Sequence, residues 1–517
     1  MFSKILIANR GEIALRIMRT CKKMGIKTVA VYSDVDSESL HVQQSDESYS
    51  IGGDVPTGSY LKIKSIIEAA ESTGADAIHP GYGFLSENAE FVKACEKADI
   101  TFIGPAPEVM KRMSNKVRAR KLAKKAGLPV LPGSEGEVKD NVALEHANYN
   151  GFPLLVKAAN GGGGIGIHVV NSPKELKGVM SKARSLARKA FGSKRVYFER
   201  FLQGASHLEV QIVADTHGNV VHLFERDCSV QRRNQKVIEE APSTKLTDGQ
   251  RERLLEYAVT LAKYINYTNV GTVEFLVTRE GDIYFLEMNT RLQVEHGITE
   301  LITGVDMVEL QINIAAGELL SFKQEDIKIN GHAIEARINA ENPDTFLPTT
   351  GVVSVLDTPQ GDHVRLDSAI FVGHEVSTYY DPLLAKLMVW GEDRQQAIGR
   401  LDQAVGELRI EGVQTLIPAI RKVLNHKLFV SANYDTSILQ KLQSGTVDDI
   451  EIALPDVYLN GNNGSRKSEI AKIAVDMLLS MDKGSAKGHQ NGANMTAWKI
   501  AGRQSQMTNL LRFRGRG

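Results

Sequence analysis

The sequence contains little cysteine and no long apolar run. Its 517 residues include three cysteines, Cys21, Cys95 and Cys228, which are far apart and form no C-x-x-C or other metal-binding spacing. This usage argues against a disulfide framework and for a reducing compartment. The opening MFSKILIANRGE has too short an apolar run for a signal peptide, and no stretch approaches the roughly 20 apolar residues of a transmembrane helix. We therefore expect a cytoplasmic protein.

The chain also lacks an excess of charge of either sign. Lysine and arginine together number 62, as do aspartate and glutamate, so the formal net charge is zero. A general electrostatic attraction to nucleic acid or to an acidic membrane is therefore not indicated. Hydrophobic residues make up 42% of the chain and charged residues 24%, as in ordinary globular enzymes. A chain of this length is expected to form about three domains.

The first 113 residues alternate strand and helix but lack a dinucleotide-binding fingerprint. Strands are predicted at Lys4–Ala8, Lys27–Tyr32, Ala75–His79 and Ile100–Ile103, and helices at Gly11–Lys23, Leu61–Ala70 and Ala89–Lys97. This alternation predicts a parallel sheet with helices on its faces. The turn Asn9–Glu12 after the first strand has no G-x-G-x-x-G, so a dehydrogenase is not indicated.

Two acidic residues are predicted to face each other across a hairpin. Val273–Val277 and Ile283–Met288 are rich in β-branched and aromatic residues, and this composition predicts two strands joined by a tight turn. If Glu280–Gly281 is a two-residue loop, the register places Glu274 directly opposite Glu287.

Such a pair needs a neutralising partner, because directly opposed residues have Cβ atoms about 5 Å apart and like charges there repel. The simplest candidate is a hard divalent cation, for which Asn289 on the same face adds a third oxygen ligand. Arg291, Gln293 and Glu295 continue the polar row at a spacing of two residues, so an extended chain would point them the same way. This row favours a reaction site over a solvated strand face.

A glycine-rich loop between two predicted strands indicates a nucleotide. The strand Leu154–Ala159 is followed by Asn160–Gly166, which contains four consecutive glycines, and then by the strand Ile167–Val170. Glycines let backbone N–H groups approach phosphate oxygens, and Lys157 could reach a phosphate as a point charge. The loop is not a Walker motif and could be a flexible hairpin. Lys157 and the acidic pair favour the nucleotide.

Longer motifs extend from the start of the chain to about residue 443. They are ILIANRGEIALRI at Ile5–Ile17, HPGYGFLSEN at His79–Asn88, the glycine loop with Lys157, ERDCSVQRRNQK at Glu225–Lys236, EEAP at Glu239–Pro242, FLEMNTRLQVEH at Phe285–His296 and INAENP at Ile338–Pro343. Together these motifs resemble those of biotin carboxylases, the ATP-grasp component of biotin-dependent carboxylases.

The resemblance implies an α/β and α+β fold in three domains. Residues 1–113 would form an N-terminal Rossmann-like parallel-sheet domain, the pre-ATP-grasp domain. Residues 114–330 would form an ATP-grasp domain with a mobile glycine-loop lid at about 131–203, and residues 331–445 the C-terminal biotin carboxylase domain. Residues 446–517 are expected to be a basic, partly helical tail that docks a partner or is disordered.

The resemblance also implies the reaction and its residues. ATP would phosphorylate bicarbonate to carboxyphosphate, and the N1′ atom of biotin would capture the released CO₂. The implied ATP-binding residues are Lys116, Lys157, Gly163, Gly164, Glu199, Leu202, His207, Gln231, Asn234, Glu274 and Glu287. The implied Mg²⁺ or Mn²⁺ ligands are Glu274, Glu287 and Asn289. The implied bicarbonate contacts are Lys236, Arg291, Gln293 and the backbone of Val294, and the implied biotin contacts are Tyr82, Arg291 and Arg337.

Glu295 would be the base that deprotonates bicarbonate, with Lys236 and Arg291 as the other catalytic residues. The sequence has no Ala-Met-Lys-Met attachment site, so biotin is expected on a separate carrier protein, with the carboxyltransferase on another separate chain. We expect a homodimer of this chain within a larger complex. The acyl acceptor could be acetyl-CoA, propionyl-CoA or pyruvate.

The chain departs from the family pattern at four positions. Asn234 stands where many relatives have His, Gly297 where they usually have Pro, and Ile165 and Ile167 where a basic residue and Met are commoner. The loss of Pro at position 297 is expected to loosen the backbone after the base.

Two other functions remain to be weighed. One is another ATP-grasp ligase, such as a carbamoyl-phosphate or purine-pathway enzyme, and the other is a regulatory subunit that binds ATP without turnover. The row from Arg291 to Glu295, together with Arg337, argues against the first. The intact acidic pair, Asn289 and Glu295 argue against the second.

Overall fold

The computed structural model describes residues 1–134, 136–139, 143–159 and 167–445. The predictions for Gly163, Gly164, Ile165, the glycine loop and the tail 446–517 lie outside the described residues. In the described part of the chain, no helix is long and apolar enough to cross a membrane. The three cysteines are buried and unpaired.

The N-terminal region is a five-stranded parallel sheet, as the alternating pattern predicts. Its elements are β1 (Lys4–Ile7), α1 (Gly11–Lys23), β2 (Lys27–Tyr32), α2 (Leu40–Gln43), β3 (Glu47–Ser50), α3 (Ile63–Thr73), β4 (Ala77–His79), α4 (Ala89–Lys97), β5 (Thr101–Phe102) and α5 (Pro107–Met113). The strand order is β3-β2-β1-β4-β5, and each adjacent pair is parallel. Successive residues of β1 enter opposite cores, since Ile5 and Ile7 pack in one cluster and Leu6 in another.

A small antiparallel sheet follows. Its elements are α6 (Lys116–Lys125), α7 (Ala143–Asn150), β6 (Leu154–Ala158), β7 (His168–Val170), α8 (Pro173–Phe191) and β8 (Val196–Arg200). The strand order is β7-β6-β8. One face of α8 packs on this sheet, because Leu176, Met180 and Ala183 share a buried cluster with Leu154 and Val156.

The rest of the described chain is organised around one eight-stranded sheet. The elements are β9 (Ser206–Ala214), β10 (Val220–Arg232), β11 (Gln235–Ala241), α9 (Asp248–Tyr264), β12 (Asn269–Val277), β13 (Ile283–Asn289), α10 (His296–Thr303), α11 (Met307–Ala315), β14 (His332–Asn339), β15 (Gly351–Val352), β16 (Val355–Asp357), β17 (Val364–Ser368), β18 (Glu375–Val376), β19 (Leu383–Gly391), α12 (Arg394–Glu407), β20 (Arg409–Glu411), α13 (Ile417–Leu424), α14 (Lys427–Val430) and α15 (Ile438–Ser444).

This sheet has the order β13-β12-β9-β10-β11-β14-β19-β17. Its adjacent strands are antiparallel, and β11 pairs with β14 from Ile238↔Ala336 to Ala241↔Ala333. The sheet therefore runs without a break across residue 330, where the sequence predicts a change of domain.

The hairpin of β12 and β13 reaches the predicted register by a different route. Its loop is not the predicted two residues: Thr278 donates its N–H to the Asp282 carbonyl at 3.0 Å, which leaves three residues between them. Gly281, the last of these, has φ +88, as the commonest three-residue hairpin requires. Phe275 therefore pairs with Phe285 and not with Leu286, the partner that a two-residue loop would give it.

A β-bulge in β13 then restores the predicted register. The register shifts between the Phe275↔Phe285 pair and the Glu274↔Glu287 pair, so Leu286 is the extra residue. Beyond the bulge Glu274 lies directly opposite Glu287, as predicted. The bulge also changes which face each residue occupies, and both Phe285 and Met288 consequently enter the same core.

Candidate active site

The opposed carboxylates Glu274 and Glu287 are each neutralised by side chains of the protein. Lys116, the first residue of α6, forms an ion pair with Glu287. Glu274 is buried and lies 3.2 Å from Lys236 Nζ and 3.1 Å from His207 Nε2. Each carboxylate of the opposed pair thus has a positively charged side chain beside it, as the repulsion between like charges requires.

The polar row after β13 converges although the chain does not stay extended. The strand ends at Asn289, and the following residues turn into α10 at His296, so the predicted extended row is wrong. The amides of Asn289 and Gln293 nevertheless both donate to Glu274 Oε1, at 2.8 and 3.1 Å. Arg291 donates to Asn289 Oδ1 at 3.3 Å and to Gln293 Oε1 at 3.1 Å. The turn gathers these side chains around one carboxylate.

The donor set at this end of the hairpin fits a hard divalent cation. Glu274, Glu287 and Asn289 bring carboxylate and amide oxygens together on two neighbouring strands, and oxygen is the ligand atom that Mg²⁺ and Mn²⁺ prefer. Lys116 flanks the set on one side and Lys236 on the other.

Glu295 is fully buried between two cations. Lys236 Nζ lies 2.5 Å from its Oε1, and Arg337 Nη2 lies 2.8 Å from its Oε2. Burial alone would raise the pKa of Glu295, but Lys236, Arg337 and Arg226 hold it well below its usual range. The carboxyl group is therefore ionised at neutral pH and can accept a proton.

Lys236 joins three carboxylates at one point. Besides Glu295 and Glu274, it contacts Glu209 Oε2 at 2.6 Å. Burial opposes its charge, yet the neighbouring carboxylates of Glu209, Glu274 and Glu295 raise the pKa of Lys236 well above its usual value. A permanently charged lysine therefore lies where the sequence predicts a bicarbonate contact.

Glu209, which contacts Lys236, and its partner Arg226 were not predicted from the sequence. Glu209 on β9 lies opposite both Glu274 and Arg226 in the sheet and is completely buried. Arg226, also completely buried, donates to Glu209 Oε1 at 2.6 Å and to Gln211 Oε1 at 2.8 Å. The available signal was the alternation of the polar residues 207, 209 and 211 with the apolar residues 208, 210 and 212.

Two further carboxylates orient the predicted arginines. Glu87 accepts from Arg291 Nε and from the Thr290 N–H, both at 3.0 Å. Glu239 accepts from Arg337 Nε at 2.6 Å. Both lie in motifs that the sequence singles out, but neither is predicted to have a role there.

The predicted nucleotide residues lie at the strand ends around this cluster. Lys157 on β6 is buried and forms an ion pair with Glu199 on the neighbouring β8. Gln231 Nε2 lies 3.0 Å from His207 Nδ1. Leu202 is half-buried in the loop after β8.

Asn234 lies apart from these contacts, at the exposed tip of the β10–β11 hairpin. It has φ +66 and Arg233 has φ +52. A two-residue turn with positive φ at both positions favours asparagine, which gives a backbone reason for the departure at this site. In the described part of the chain, no hydrogen bond or ion pair joins Asn234 to the acidic cluster.

Gly297, the other described departure close to the base, is tightly packed. It lies in the first turn of α10, where an added Cβ would be 2.2 Å from Met388 Sδ. Met388 therefore fills the space that a larger residue at 297 would need.

Tyr82 and Val294 are placed by a second group of buried side chains. The Tyr82 hydroxyl donates to Glu12, and the Val294 carbonyl accepts from Lys386 at 2.9 Å.

Three family models match consecutive parts of this chain. They are "Biotin carboxylase, N-terminal domain" over residues 1–110, "Carbamoyl-phosphate synthase L chain, ATP binding domain" over residues 115–323, and "Biotin carboxylase C-terminal domain" over residues 335–441.

Curated relatives match most of the chain. A biotin carboxylase of Halalkalibacterium halodurans is 50% identical over 440 residues, which are 85% of this chain and 97% of that protein. A pyruvate carboxylase subunit of Methanothermobacter thermautotrophicus is 50% identical over 447 residues, 86% of this chain and 91% of that protein.

Solved structures agree. A Campylobacter jejuni biotin carboxylase–βγ-ATP complex has a TM-score of 0.84 and 46% identity, covering 85% of this chain and 99% of that one. The biotin carboxylase domain dimer of Hydrogenobacter thermophilus 2-oxoglutarate carboxylase, in complex with MgADP, ADP and bicarbonate, gives the same score and identity over 85% and 98%.

Proposed function

This chain belongs to the biotin carboxylase family, and from that premise we propose how its own residues carry out the ATP- and bicarbonate-dependent carboxylation of biotin. The observation that carries the proposal is the position of Glu295. The predicted base lies 2.5 Å from Lys236, a predicted bicarbonate contact, and 2.8 Å from Arg337, a predicted biotin contact. The residues for both substrates therefore meet at one carboxylate.

ATP binds between the small sheet and the eight-stranded sheet in this proposal. Lys116 and Lys157 are each paired with a carboxylate, Glu287 and Glu199, and both would turn to phosphate oxygens. Glu274, Glu287 and Asn289 would hold Mg²⁺ or Mn²⁺. The metal, when bound, neutralises charge on the phosphate oxygens during phosphoryl transfer. Leu202, His207 and Gln231 would complete the nucleotide site, with Gly163, Gly164 and Asn234 contributing from loops.

Bicarbonate binds beside Glu295, held by Lys236, Arg291, Gln293 and the backbone of Val294. A base works best with a pKa near the working pH, and the pKa of Glu295 is held well below that. A bound anion shares the charge of Lys236 and adds a negative charge next to Glu295. Both effects raise the proton affinity of the carboxylate. Glu295 then takes the bicarbonate proton as a bicarbonate oxygen attacks the terminal phosphorus of ATP, giving carboxyphosphate and ADP.

Biotin would approach from the side of Arg337 and Tyr82. Carboxyphosphate breaks down to CO₂ and phosphate, the phosphate takes the proton from the biotin N1′, and the N1′ atom then bonds to the carbon of CO₂. Arg291 and Arg337 are fixed by Glu87 and Glu239, so their positive charges are already aimed where negative charge develops on the biotin ureido group.

The partners and the compartment are also part of the proposal. One relative is named as a subunit of pyruvate carboxylase, and another similar structure is a dimer. We infer a homodimer that works in the cytoplasm with a separate biotin carrier and a carboxyltransferase subunit. The basic tail would dock one of them, so deleting residues 465–517 should abolish co-purification with these partners. Unchanged co-purification would remove the tail from the proposal.

The main test uses the full chain. ATP hydrolysis is measured with bicarbonate, with and without free biotin, and we expect biotin to stimulate phosphate release. Absence of that stimulation would reject the function.

Glu295→Gln should keep ATP binding and lose bicarbonate-dependent turnover. A matched control is Glu225→Gln, another buried carboxylate, which pairs with Arg251 and should remain active. Full turnover of Glu295→Gln would remove it as the base.

A further inference from the structure

A buried ion pair lies directly behind the loop that carries Glu295. Lys386 on β19 has no exposed side-chain surface. Its Nζ donates to the carbonyl oxygen of Val294 at 2.9 Å and lies 3.3 Å from Glu12 Oε1. The cation therefore contacts the peptide group that joins Val294 to Glu295.

The other member of the pair, Glu12, contacts Tyr82, a proposed biotin contact. Glu12 lies in the first turn of α1 and is buried, and its carboxylate accepts a hydrogen bond from the Tyr82 hydroxyl. In the described part of the chain its Oε2 has no hydrogen-bond partner. One continuous set of contacts thus runs from Tyr82 through Glu12 and Lys386 to Val294. It connects the proposed biotin contact with the proposed bicarbonate contact.

Stability gives little reason for this pair. Buried ion pairs are on average no more stabilising than apolar side chains of the same volume, because both charges lose their water. Burial also raises the pKa of Glu12 to about 7, in spite of the nearby Lys386. An apolar pair would fill the same space without that cost.

The loop is held at two points. Besides the contact of Lys386 with the Val294 carbonyl, His296 Nδ1 lies 2.8 Å from the Gln293 carbonyl. These contacts fix the peptide planes on both sides of Val294. A displacement of about 1 Å in a reacting group can cost about a hundredfold in rate, so the orientation of this loop matters for catalysis.

We propose that Lys386 and Glu12 are positioning residues for biotin carboxylation. Lys386 sets the orientation of the Val294–Glu295 peptide and hence of the base, and Glu12 links that orientation to the Tyr82 hydroxyl. This inference rests on the proposed function. It concerns the bicarbonate and biotin side of the site and leaves the nucleotide side unaffected.

The test uses Lys386→Met, which keeps the length of the side chain and removes its charge. We expect kcat/KM for bicarbonate to fall about tenfold or more, while KM for MgATP stays within about twofold. The double variant Glu12→Gln/Lys386→Met removes both charges. Its thermal midpoint should return toward that of the wild type, while the bicarbonate defect remains. Recovered stability without recovered activity is a result that a purely structural role cannot give.

A matched control is the pair Arg251 and Glu225, which are 2.8 Å apart with the carboxylate fully buried. The double variant Arg251→Met/Glu225→Gln should leave kcat/KM for bicarbonate unchanged. An unchanged bicarbonate kcat/KM in Lys386→Met, or its full recovery in the double variant, would overturn the inference. If the wild type itself shows no biotin-stimulated phosphate release, the proposed function fails instead.

Discussion

Among the directly opposed glutamates of the eight-stranded sheet, two pairs have contrasting surroundings. Glu274 and Glu287 face each other across β12 and β13, and Glu239 and Glu335 face each other across β11 and β14. In the first pair each carboxylate has a cation beside it, Lys116 for Glu287 and Lys236 for Glu274. In the second, Glu239 binds Arg337, whereas neither oxygen of Glu335 has a hydrogen-bond partner in the described part of the chain.

The pKa values of Glu274 and Glu335 consequently shift in opposite directions. Burial would raise the pKa of Glu274, but Lys236 and His207 lower it far below its usual range. Burial and the neighbouring Glu239 raise the pKa of Glu335 well above its usual value, which favours the neutral carboxyl group. Opposed carboxylates therefore do not indicate a metal site by themselves. The first pair is a candidate because Asn289 adds an amide oxygen to its carboxylates and Lys116, which is proposed to bind phosphate, lies beside it.

The largest effect should come from removing one carboxylate from each pair. Glu287→Gln should lower MgATP-dependent turnover about a hundredfold or more, because a metal ligand is lost. Glu335→Gln should stay within about threefold of the wild type, since an amide can replace a neutral carboxyl group. Steady-state kinetics at varied Mg²⁺ measure both. Equal losses in the two variants would show that the pairs do not differ in function.

The cation of the first pair gives a second test. Without Lys116, Glu287 has no ion-pair partner among the described residues, so Lys116→Met should bind Mn²⁺ alone more tightly while binding ATP about tenfold more weakly. Electron paramagnetic resonance of free Mn²⁺ measures the first change, and equilibrium dialysis of ATP measures the second. Lys121→Met, on the exposed side of the same helix, is the control and should change neither.

Glu335 of the second pair should contribute to the pH dependence of the free energy of unfolding. The pKa of Glu335 is raised above its ordinary value of 4.5. Its contribution to stability is therefore complete below pH 4.5 and is lost as the pH rises toward the folded-state pKa. Glu335→Gln should make this decline shallower, by up to about 1.4 kcal/mol for each pH unit. Urea unfolding between pH 5 and 8 measures the slopes. Parallel slopes for variant and wild type would contradict a protonated Glu335.

The smallest effect concerns the strand beside the second pair. Met388, which lies opposite Glu335 in the sheet, packs against Gly297. Gly297→Ala should cost about 1–2 kcal/mol, because the new Cβ meets Met388 Sδ. Gly399→Ala is the control: it lies in α12 with open space around it and should be neutral or slightly stabilising. Equal unfolding midpoints for the two variants would show that Met388 moves aside freely.

Local sequence patterns predicted the parallel sheet of the N-terminal region and, in the site, the opposed glutamates Glu274 and Glu287. The helices α1 and α4 have their predicted bounds, because apolar spacing and adjacent turns define them within a few residues of sequence. The opposition of Glu274 and Glu287 was also predicted, although the loop was one residue longer and Leu286 forms a bulge. A bulge leaves no reliable mark in a sequence.

The rest of the site depends on distant parts of the chain. Glu12 on α1 and Lys386 on β19 are 374 positions apart in the sequence and meet only in the folded chain. Glu209 and Arg226 are partners across a sheet, so neither is informative until the register is known. The spacing of charged residues in the sequence does not show that their ion-pair network is buried, because the same residues would also be typical of a solvated strand.

The unbroken sheet limits how this protein could exchange parts with its relatives. Lys236 lies on β11 and Arg337 on β14, which are hydrogen-bonded neighbours, and both hold Glu295. A recombination point near residue 330 would therefore separate the two cations of one base and join two unmatched strand edges. The cluster of charged residues around Glu295 should therefore be inherited with residues from β9 to β19 as a single block, whatever number of domains the sequence is divided into.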